Sequence, residues 1–111
     1  MINVALLGFG RIGQMHAQNI YLNKTLNLLY VYEKIDKLRK KAKSLYNCKI
    51  EKNYKKIFSD EKVDIIFISS PTNTHIKFIL EGVKNKKIIF CEKPLDLSCL
   101  LYTSPSPRDE L

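Results

Sequence analysis

Long apolar runs are missing from this sequence, and none approaches the length that a membrane-spanning helix needs. The first residues also lack the basic segment and cleavage site that are typical of a secretory signal. Cysteine is scarce, and the cysteines before residue 99, Cys48 and Cys91, are too distant in the chain to indicate a disulfide framework. We therefore expect a soluble, cytoplasmic protein with free thiols, no membrane partner and no metal site.

Arginine is also rare, although the formal net charge of the 111 residues is +8. Before residue 99 the arginines are Arg11 and Arg39, and the lysines are spread along the helix faces that we expect to point to solvent. A nucleic-acid-binding surface is usually a cluster of lysine and arginine. The charge pattern therefore favours an ordinary solvated surface, and we expect no nucleic-acid partner.

Internal repeats, linkers and low-complexity segments are absent from residues 1–98, whose length suits a single domain. Residues 99–111 differ from them, because they contain Ser104-Pro105-Ser106-Pro107 and no lysine. They resemble the translation of a transposase adapter that is used to prepare sequencing libraries. We predict that residues 99–111 are a non-native tail and that residues 1–98 form the domain, interrupted where a further helix begins.

Short apolar segments alternate with helical patterns along residues 1–98, which predicts an α/β fold with a parallel sheet and right-handed crossovers. We expect the strand order 3-2-1-4-5. The predicted strands cover residues 2–7, 26–32, 48–50, 63–69 and 87–91, and the predicted helices cover residues 12–21, 36–46, 54–58 and a segment that starts after residue 74.

Apolar spacing predicts the buried faces of two helices, and short polar residues predict two helix caps. The residues expected to be buried are Ile12, Met15, Ile20 and Leu22 in the first helix and Ile76, Ile79, Leu80 and Val83 in the helix after the fourth strand. The expected caps are Asp36 for the second helix and Thr72-Asn73-Thr74 for the helix after the fourth strand.

The strongest local signal is a glycine motif, Gly8-Phe9-Gly10-Arg11-Ile12-Gly13, which follows the first predicted strand and opens the first helix. Gly8 allows a sharp turn, Gly10 leaves no Cβ where a pyrophosphate would lie, and Gly13 allows close packing of the helix on the strand. The free amides and the dipole at the helix N-terminus favour an anion. Arg11 opposes that dipole, so it fits either a bound pyrophosphate or an exposed position without function.

Glu33 lies 20 positions after Gly13, at the end of the second predicted strand. A carboxylate there can accept hydrogen bonds from both hydroxyls of an adenine ribose and repels a 2′-phosphate. These features favour a dinucleotide site over a tight turn in an unrelated α/β fold, in which Glu33 would only be solvated. Lys34 and Lys37 are close enough to tolerate a phosphate, so NAD is favoured without NADP being excluded.

Two further turns are predicted at the same edge of the sheet. The segment 69–75, Ser-Ser-Pro-Thr-Asn-Thr-His, either touches the nicotinamide and its ribose or is only a capped proline turn. We interpret His75 as structural or cofactor-facing rather than as a base, and His16 as a packing residue. Glu92-Lys93-Pro94 ends the fifth strand, where Lys93 either holds a substrate hydroxyl beside the nicotinamide or is exposed in a turn.

Three segments together resemble the N-terminal domain of the glucose–fructose oxidoreductase / inositol dehydrogenase / rhizopine catabolism (Gfo/Idh/MocA) family. They are residues 8–17 (Gly-Phe-Gly-Arg-Ile-Gly-Gln-Met-His-Ala), 70–75 (Ser-Pro-Thr-Asn-Thr-His) and 92–95 (Glu-Lys-Pro-Leu). The resemblance covers essentially all of residues 1–98 and is strongest to inositol 2-dehydrogenases. It implies a Rossmann-type fold that binds NAD(P), and hydride transfer to or from a sugar or cyclitol carbinol.

The resemblance also implies roles for individual residues. Those implied to hold the pyrophosphate are Gly8, Gly10, Arg11, Ile12 and Gly13, and the adenine ribose falls to Glu33. Those implied to line the nicotinamide side are Ser70, Pro71, Thr72, Asn73 and His75. The motif whose lysine contacts substrate is implied to be Glu92, Lys93 and Pro94, which makes Lys93 the expected catalytic residue.

Several parts of that family have no counterpart in residues 1–98: a catalytic Asp and His, the sixth strand, the second domain and the sheet that forms its oligomers. We therefore expect the truncated front of an NAD-dependent sugar or cyclitol dehydrogenase, inactive by itself, whose homo-oligomeric parent acts on a polyol or sugar. The alternative is a non-catalytic NAD(H)-sensing module. The glycine motif and Glu33 suit that module equally well, but it has no need of Lys93 at the hydride site.

Overall fold

The computed structural model describes residues 1–70 and 72–91 of the chain. The strands are β1 (Ile2–Leu7), β2 (Leu26–Tyr32), β3 (Lys49–Glu51), β4 (Ile65–Ile68) and β5 (Ile88–Cys91). The helices are α1 (Arg11–Leu22), α2 (Asp36–Tyr46), α3 (Tyr54–Phe58) and α4 (His75–Lys84), and α4 is preceded by a 3₁₀ turn, Thr72–Thr74. The predicted tail, residues 99–111, lies outside the described residues.

The five strands form one parallel sheet in the order β3-β2-β1-β4-β5, which confirms the predicted α/β architecture and strand order. Because successive strand residues point to opposite faces, β1 contributes to two cores. Ala5 and Leu7 pack with α3 and α4 on one face, here called the α3/α4 face. Val4 and Leu6 pack with α1 and α2 on the other, the α1/α2 face.

The buried face of α1 differs in part from the predicted one, which is confirmed only at Ile20. Gly13, Ala17 and Ile20 are buried, whereas Ile12, Met15 and Leu22 are 42%, 51% and 67% exposed. A Cβ added at Gly13 would run into the carbonyl oxygen of Gly8, so the helix lies against the end of β1 at this residue. Close backbone approach at Gly13 and Ala17 therefore decides the face of α1, and Ile12, Met15 and Leu22 turn outward.

The predicted face of α4 is wrong by one position, although Ile79 is buried as predicted. The buried residues are His75, Phe78, Ile79 and Gly82, which have the predicted spacing but begin one residue earlier. Ile76, Leu80 and Val83 are 40%, 45% and 52% exposed. A Cβ at Gly82 would run into the side chain of Ile89 on β5, so α4 too is placed by a glycine in close contact with the sheet.

The predicted caps are not observed as such. Asp36 is the first residue of α2 rather than its cap; the N-cap position is Ile35, and no side chain caps it. At α4 the N-cap is Thr74, which makes no side-chain capping hydrogen bond to the helix. Residues 72–74 form the 3₁₀ turn instead, and the Asp36 carboxylate is paired with cations of its own helix.

Within the described residues, the two faces of the edge strand β5 are covered unequally. Ile89 and Cys91 of β5 pack against the core of the α3/α4 face. Ile88 and Phe90 point to the α1/α2 face and are 63% and 58% exposed. An apolar recess of about 330 Å³ lies there, lined by Val4, Ile20, Leu26, Ile65, Phe67, Ile88 and Phe90.

No helix among residues 1–70 and 72–91 has the length and apolar character needed to cross a membrane. The same residues contain no cluster of His, Cys, Asp or Glu that could hold a metal ion. Cys48 is a free, buried thiol. Burial raises the pKa of the Cys48 thiol above its ordinary value, which makes it less reactive.

Candidate functional site

A cleft of about 310 Å³ lies at the carboxyl edge of the sheet, where the turns after β1, β2 and β4 meet. The residues that line it are Gly8, Tyr32, Glu33, Lys34, Ile35, Ser70, Asn73, Thr74 and Phe78. Ligands of open parallel sheets bind at this edge, beside the point where the strand order reverses. The structure thus brings together Gly8, Glu33, Ser70 and Asn73, which were predicted to belong to one site.

Gly8 makes the turn off β1 with a backbone φ of +104°, a conformation that side-chain-bearing residues rarely adopt. Its N–H donates to the carbonyl oxygen of Tyr32 at 2.8 Å, which ties the turn to the end of β2. A Cβ at Gly8 would lie 2.7 Å from the backbone nitrogen of Ser70. The turns after β1 and β4 are therefore in contact here, and only glycine fits between them.

Gly10 differs from Gly8 and Gly13, because a Cβ placed on it would meet nothing within 4 Å. It is the N-cap of α1, and the first helical hydrogen bond runs from Gln14 N–H to the carbonyl oxygen of Gly10 at 2.8 Å. The amides of residues 11–13 precede that bond and have no partner within the helix. Gly10 thus leaves open space beside free amides at the positive end of a helix dipole.

Arg11 and Ile12 occupy the first turn of α1 and are both exposed. Among residues 1–70 and 72–91, Arg11 has no ion pair, and the first turn of α1 contains no acidic residue. The only charge that this turn itself contributes is therefore positive. An anion that bound at the amides of α1 would meet the guanidinium as well as the helix dipole.

The Glu33 carboxylate faces the glycine turn. Its Oε1 accepts a hydrogen bond from the backbone N–H of Phe9 at 2.7 Å, and its Oε2 accepts one from the backbone N–H of Ile35 at 3.2 Å. Each carboxylate oxygen can accept a second hydrogen bond. Glu33 is therefore held across the mouth of the cleft with acceptor capacity left for a ligand diol.

Arg39 was not predicted to belong to the site. Its side chain is 13% exposed and reaches back from α2 under the turn that carries Glu33. Nη1 donates to the carbonyl oxygens of Glu33 at 2.6 Å and of Lys34 at 3.0 Å, and Nη2 donates to Asp36 Oδ1 at 2.9 Å. The sequence gives only its spacing: Arg39 is one of two arginines before residue 99, three positions after an aspartate, which does not show that it reaches the Glu33 carbonyl.

The turn after β4 is fixed by its own side chains. Ser70 Oγ and Thr74 Oγ1 are hydrogen-bonded at 2.7 Å. The buried His75 ring donates from Nε2 to the carbonyl oxygen of Ser70 at 3.0 Å, and the side chain of Asn73 lines the cleft. His75 therefore stabilises the turn from below, a geometry that fits its interpretation as a structural residue.

Some predicted site residues cannot be placed. Pro71, Glu92, Lys93 and Pro94 lie outside the described residues, and Thr72 is described only as the start of the 3₁₀ turn. The residue before Glu92, Cys91, pairs with Ile68 at the carboxyl ends of β5 and β4.

His16, which we interpreted as a packing residue, lies away from the cleft. Its ring packs 4.7 Å from that of Phe67, centroid to centroid, on the α1/α2 face.

Comparisons with known proteins agree on one group. The family model described as "Oxidoreductase family, NAD-binding Rossmann fold" matches residues 2–100. Myo-inositol 2-dehydrogenase of Thermotoga maritima is 34% identical over 99 residues, which are 87% of this chain and 29% of that protein. Inositol 2-dehydrogenase of Rhizobium meliloti is 32% identical over 96 residues, 86% of this chain and 29% of that protein.

Solved structures give the same result. Scyllo-inositol dehydrogenase from Lactobacillus casei, solved with bound cofactor NAD(H) and scyllo-inositol, matches with a TM-score of 0.82 at 25% identity. The match covers 93% of this chain and 32% of that one. The chain therefore spans less than a third of the length of these relatives.

Proposed function

Because the chain belongs to the Gfo/Idh/MocA oxidoreductase family, which has an NAD-binding Rossmann fold, we propose that its cleft binds NAD(H). The amides of residues 11–13 and Arg11 bind the diphosphate, which lies over Gly10. Glu33 accepts hydrogen bonds from both hydroxyls of the adenine ribose, and Ser70 and Asn73 lie on the nicotinamide side of the cleft. The residues present fit this cofactor in shape and in charge.

NAD is favoured over NADP by the position of Glu33. Both of its oxygens are fixed by backbone N–H groups, at 2.7 Å from Phe9 and 3.2 Å from Ile35. The carboxylate therefore cannot easily turn away from a 2′-phosphate, and the two negative charges would repel each other. Lys34 also lines the cleft and would soften that repulsion without removing it.

We propose further that the whole protein is a dehydrogenase that acts on a cyclitol or a related sugar. Bound NAD supplies the hydride acceptor or donor for a ring carbinol. Lys93, two residues beyond the end of β5, is proposed to hold the substrate hydroxyl and to stabilise its oxygen as negative charge develops. The names of the relatives, inositol 2-dehydrogenases in two cases, support this substrate class.

The 111-residue chain itself is proposed to bind cofactor without turnover. It covers 29% of the length of the inositol 2-dehydrogenases, and no His, Asp or Glu of the described residues stands in the cleft as an unengaged base. Glu33 is hydrogen-bonded to two amides, and His75 is buried beneath the turn. Among the described residues, the cleft therefore offers no acceptor for a proton that leaves a substrate hydroxyl.

The open space at Gly10 carries the cofactor proposal, and a single methyl group tests it. NADH is titrated into the chain and into Gly10→Ala by following nicotinamide fluorescence, since the sequence contains no tryptophan to interfere. The added methyl touches no protein atom within 4 Å, so the melting temperature should not change. It occupies the place of the diphosphate, so NADH should bind at least about tenfold more weakly.

The matched control is Gln18→Ala, an exposed position of the same helix, which should change neither NADH affinity nor melting temperature. If Gly10→Ala binds NADH as tightly as the unmodified chain, the diphosphate does not lie on this turn. If the unmodified chain binds no NADH while folded by circular dichroism, the cofactor proposal is wrong.

A further inference from the structure

Among the described residues, the side chain of Arg39 holds the loop between β2 and α2 from below. Its guanidinium reaches three acceptors there: the carbonyl oxygens of Glu33 and Lys34, at 2.6 and 3.0 Å, and the carboxylate of Asp36, at 2.9 Å. The planar fork of arginine can serve several acceptors at fixed angles, which a lysine ammonium on its flexible stem cannot do as well. The geometry thus depends on an arginine at position 39.

The neighbouring cation, Lys40, shows what is special about Arg39. Lys40 also pairs with Asp36, at 3.1 Å, but its side chain is 75% exposed and it reaches no carbonyl of the loop within the described residues. The Arg39 side chain is 13% exposed. The same aspartate therefore has one cation in solvent and one packed beneath the loop, and only the packed one touches the backbone of Glu33.

Glu33 is consequently fixed at both ends. Arg39 holds its backbone carbonyl, while the amides of Phe9 and Ile35 hold its carboxylate. A carboxylate that is already aimed before the ligand arrives loses little conformational entropy on binding. Without Arg39 the loop would lose two hydrogen bonds to its carbonyl oxygens, and only the amides of Phe9 and Ile35 would then hold the Glu33 side chain.

The positive charge of Arg39 is also paired with a carboxylate of the protein. A free guanidinium beside the adenine ribose is the usual partner of a 2′-phosphate. Here Asp36 neutralises the guanidinium, and its N–H groups point to carbonyl oxygens of the loop rather than into the cleft. The positive charge of Arg39 is therefore of little use to an NADP phosphate.

We propose that Arg39 is a positioning residue for cofactor choice: it aims the Glu33 carboxylate at the ribose diol, and Asp36 withholds its charge from a 2′-phosphate. The proposal rests on the proposed binding of NAD(H) in this cleft. It assigns the preference between the two cofactors to a second residue, which touches neither of them and acts through Glu33.

The test compares the dissociation constants of NADH and NADPH for the purified chain, Arg39→Met and Lys40→Met. Arg39→Met should weaken the binding of NADH about tenfold and the binding of NADPH much less. The ratio of the two dissociation constants, which measures the preference for NADH, should therefore shrink by about tenfold. Lys40→Met removes an equal charge from the same aspartate and should leave both constants within about twofold. A variant that only lost stability would not change the ratio of the two constants.

A double-mutant cycle identifies the route. If Arg39 acts through Glu33, Arg39→Met should have almost no further effect on NADH binding in a Glu33→Gln background. An effect of equal size in both backgrounds, or an unchanged cofactor ratio in Arg39→Met, overturns the proposal. If Arg39→Met does not fold by circular dichroism, Arg39→Lys replaces it with the same expected narrowing, and a wild-type ratio in that variant overturns the proposal.

The failure of the broader proposal looks different. If the unmodified chain is folded but binds neither cofactor, the cleft is not an NAD(H) site and the proposed function is wrong. If it binds NADH, and Arg39→Met keeps the unmodified ratio of constants, only the role of Arg39 is refuted.

Discussion

The turn after β1 and the turn after β2 meet in one cleft but are built from different materials. The first is made of backbone, and its close contacts depend on the side chains that are missing at Gly8 and Gly13. The second is made of charges, with Glu33 and Arg39 bonded to the main chain around it. The first, residues 8–13, is here called the backbone-built turn; it is rigid and tolerates no added atom at its contacts. The second, residues 33–39, is called the charge-built turn; its side-chain hydrogen bonds can be weakened one at a time.

The largest effect is expected where the backbone-built turn is tightest. In Gly13→Ala the new methyl would run into the carbonyl oxygen of Gly8 and lie 3.0 Å from Ser69 Oγ. Both groups belong to fixed turns at strand ends, so the free energy of unfolding should fall by about 3 kcal/mol, as overpacked interiors do. Urea denaturation followed by circular dichroism measures it.

Gly10→Ala is the internal control for that loss, because its methyl enters open space and its unfolding free energy should stay within about 0.5 kcal/mol of the unmodified chain. A Gly13→Ala variant as stable as Gly10→Ala would mean that the first turn is no more rigid than the second.

The sequence predicted the backbone-built turn well. Glycine has few reasons to recur at this spacing, so the sharp turn at Gly8 and the close packing at Gly13 could be inferred and are confirmed. The resemblance to the Gfo/Idh/MocA family, inferred from this motif together with residues 70–75 and 92–95, is also confirmed. The facing direction of Glu33 followed from its place at the end of β2.

The charge-built turn was predicted only in part. Aspartate is a common helix cap, which is why Asp36 was predicted to cap α2. Its carboxylate instead pairs with two cations, Arg39 at 2.9 Å and Lys40 at 3.1 Å. Nothing in a residue pattern shows which of several nearby partners a long side chain will choose. The role of Arg39 was missed for that reason.

The helix faces were misjudged for a related physical reason. The faces of α1 and α4 were predicted from the positions of large apolar side chains. The two helices instead make their closest contacts with neighbouring elements at glycines. Gly13 sets the face of α1, and Gly82 sets the face of α4, which is shifted by one residue from the predicted one. A contact made by the absence of a side chain gives no hydrophobic signal.

An intermediate effect is expected at the bond that joins the two turns. In Glu33→Gln the amide oxygen can still accept from the Phe9 N–H, which donates to the Glu33 carboxylate at 2.7 Å. The amide nitrogen cannot replace the oxygen that accepts from Ile35 at 3.2 Å, so stability should fall slightly through the loss of that long bond. The ribose diol loses a charged acceptor, and NADH should bind about tenfold more weakly, or about 1.4 kcal/mol. Fluorescence titration with NADH and NADPH measures both constants, and NADPH should lose little or gain.

Glu51→Gln is a close structural match for that substitution. Glu51 also ends a strand, and its Oε2 accepts from the backbone N–H two residues ahead, Asn53, at 3.1 Å, just as Glu33 accepts from Ile35. It does not line the cleft, so its loss should leave NADH binding unchanged. Equal losses in the two variants would show that general charge, and not the Glu33 carboxylate, holds the cofactor.

The smallest effect is expected from the acid that anchors the charge-built turn. The hydrogen bond from Lys40, and then the one from Arg39, hold the pKa of Asp36 below its ordinary value of 3.8. A lowered pKa in the folded state stabilises the protein above pH 3.8, and that contribution is lost as the pH falls through the folded-state pKa. Asp36→Asn should therefore lose less stability than the unmodified chain between about pH 5 and pH 2.

The difference should be small, because the Asp36 side chain is 64% exposed and water screens its ion pairs. Urea midpoints at the two pH values in low salt measure it, and about 1 M salt should nearly abolish it. The backbone-built turn gives a contrast, since Gly10→Ala should keep the acid dependence of the unmodified chain. An Asp36→Asn variant with that same dependence would mean that Arg39 is held by the two carbonyl oxygens alone, and that its charge is less firmly withheld from the cleft than we propose.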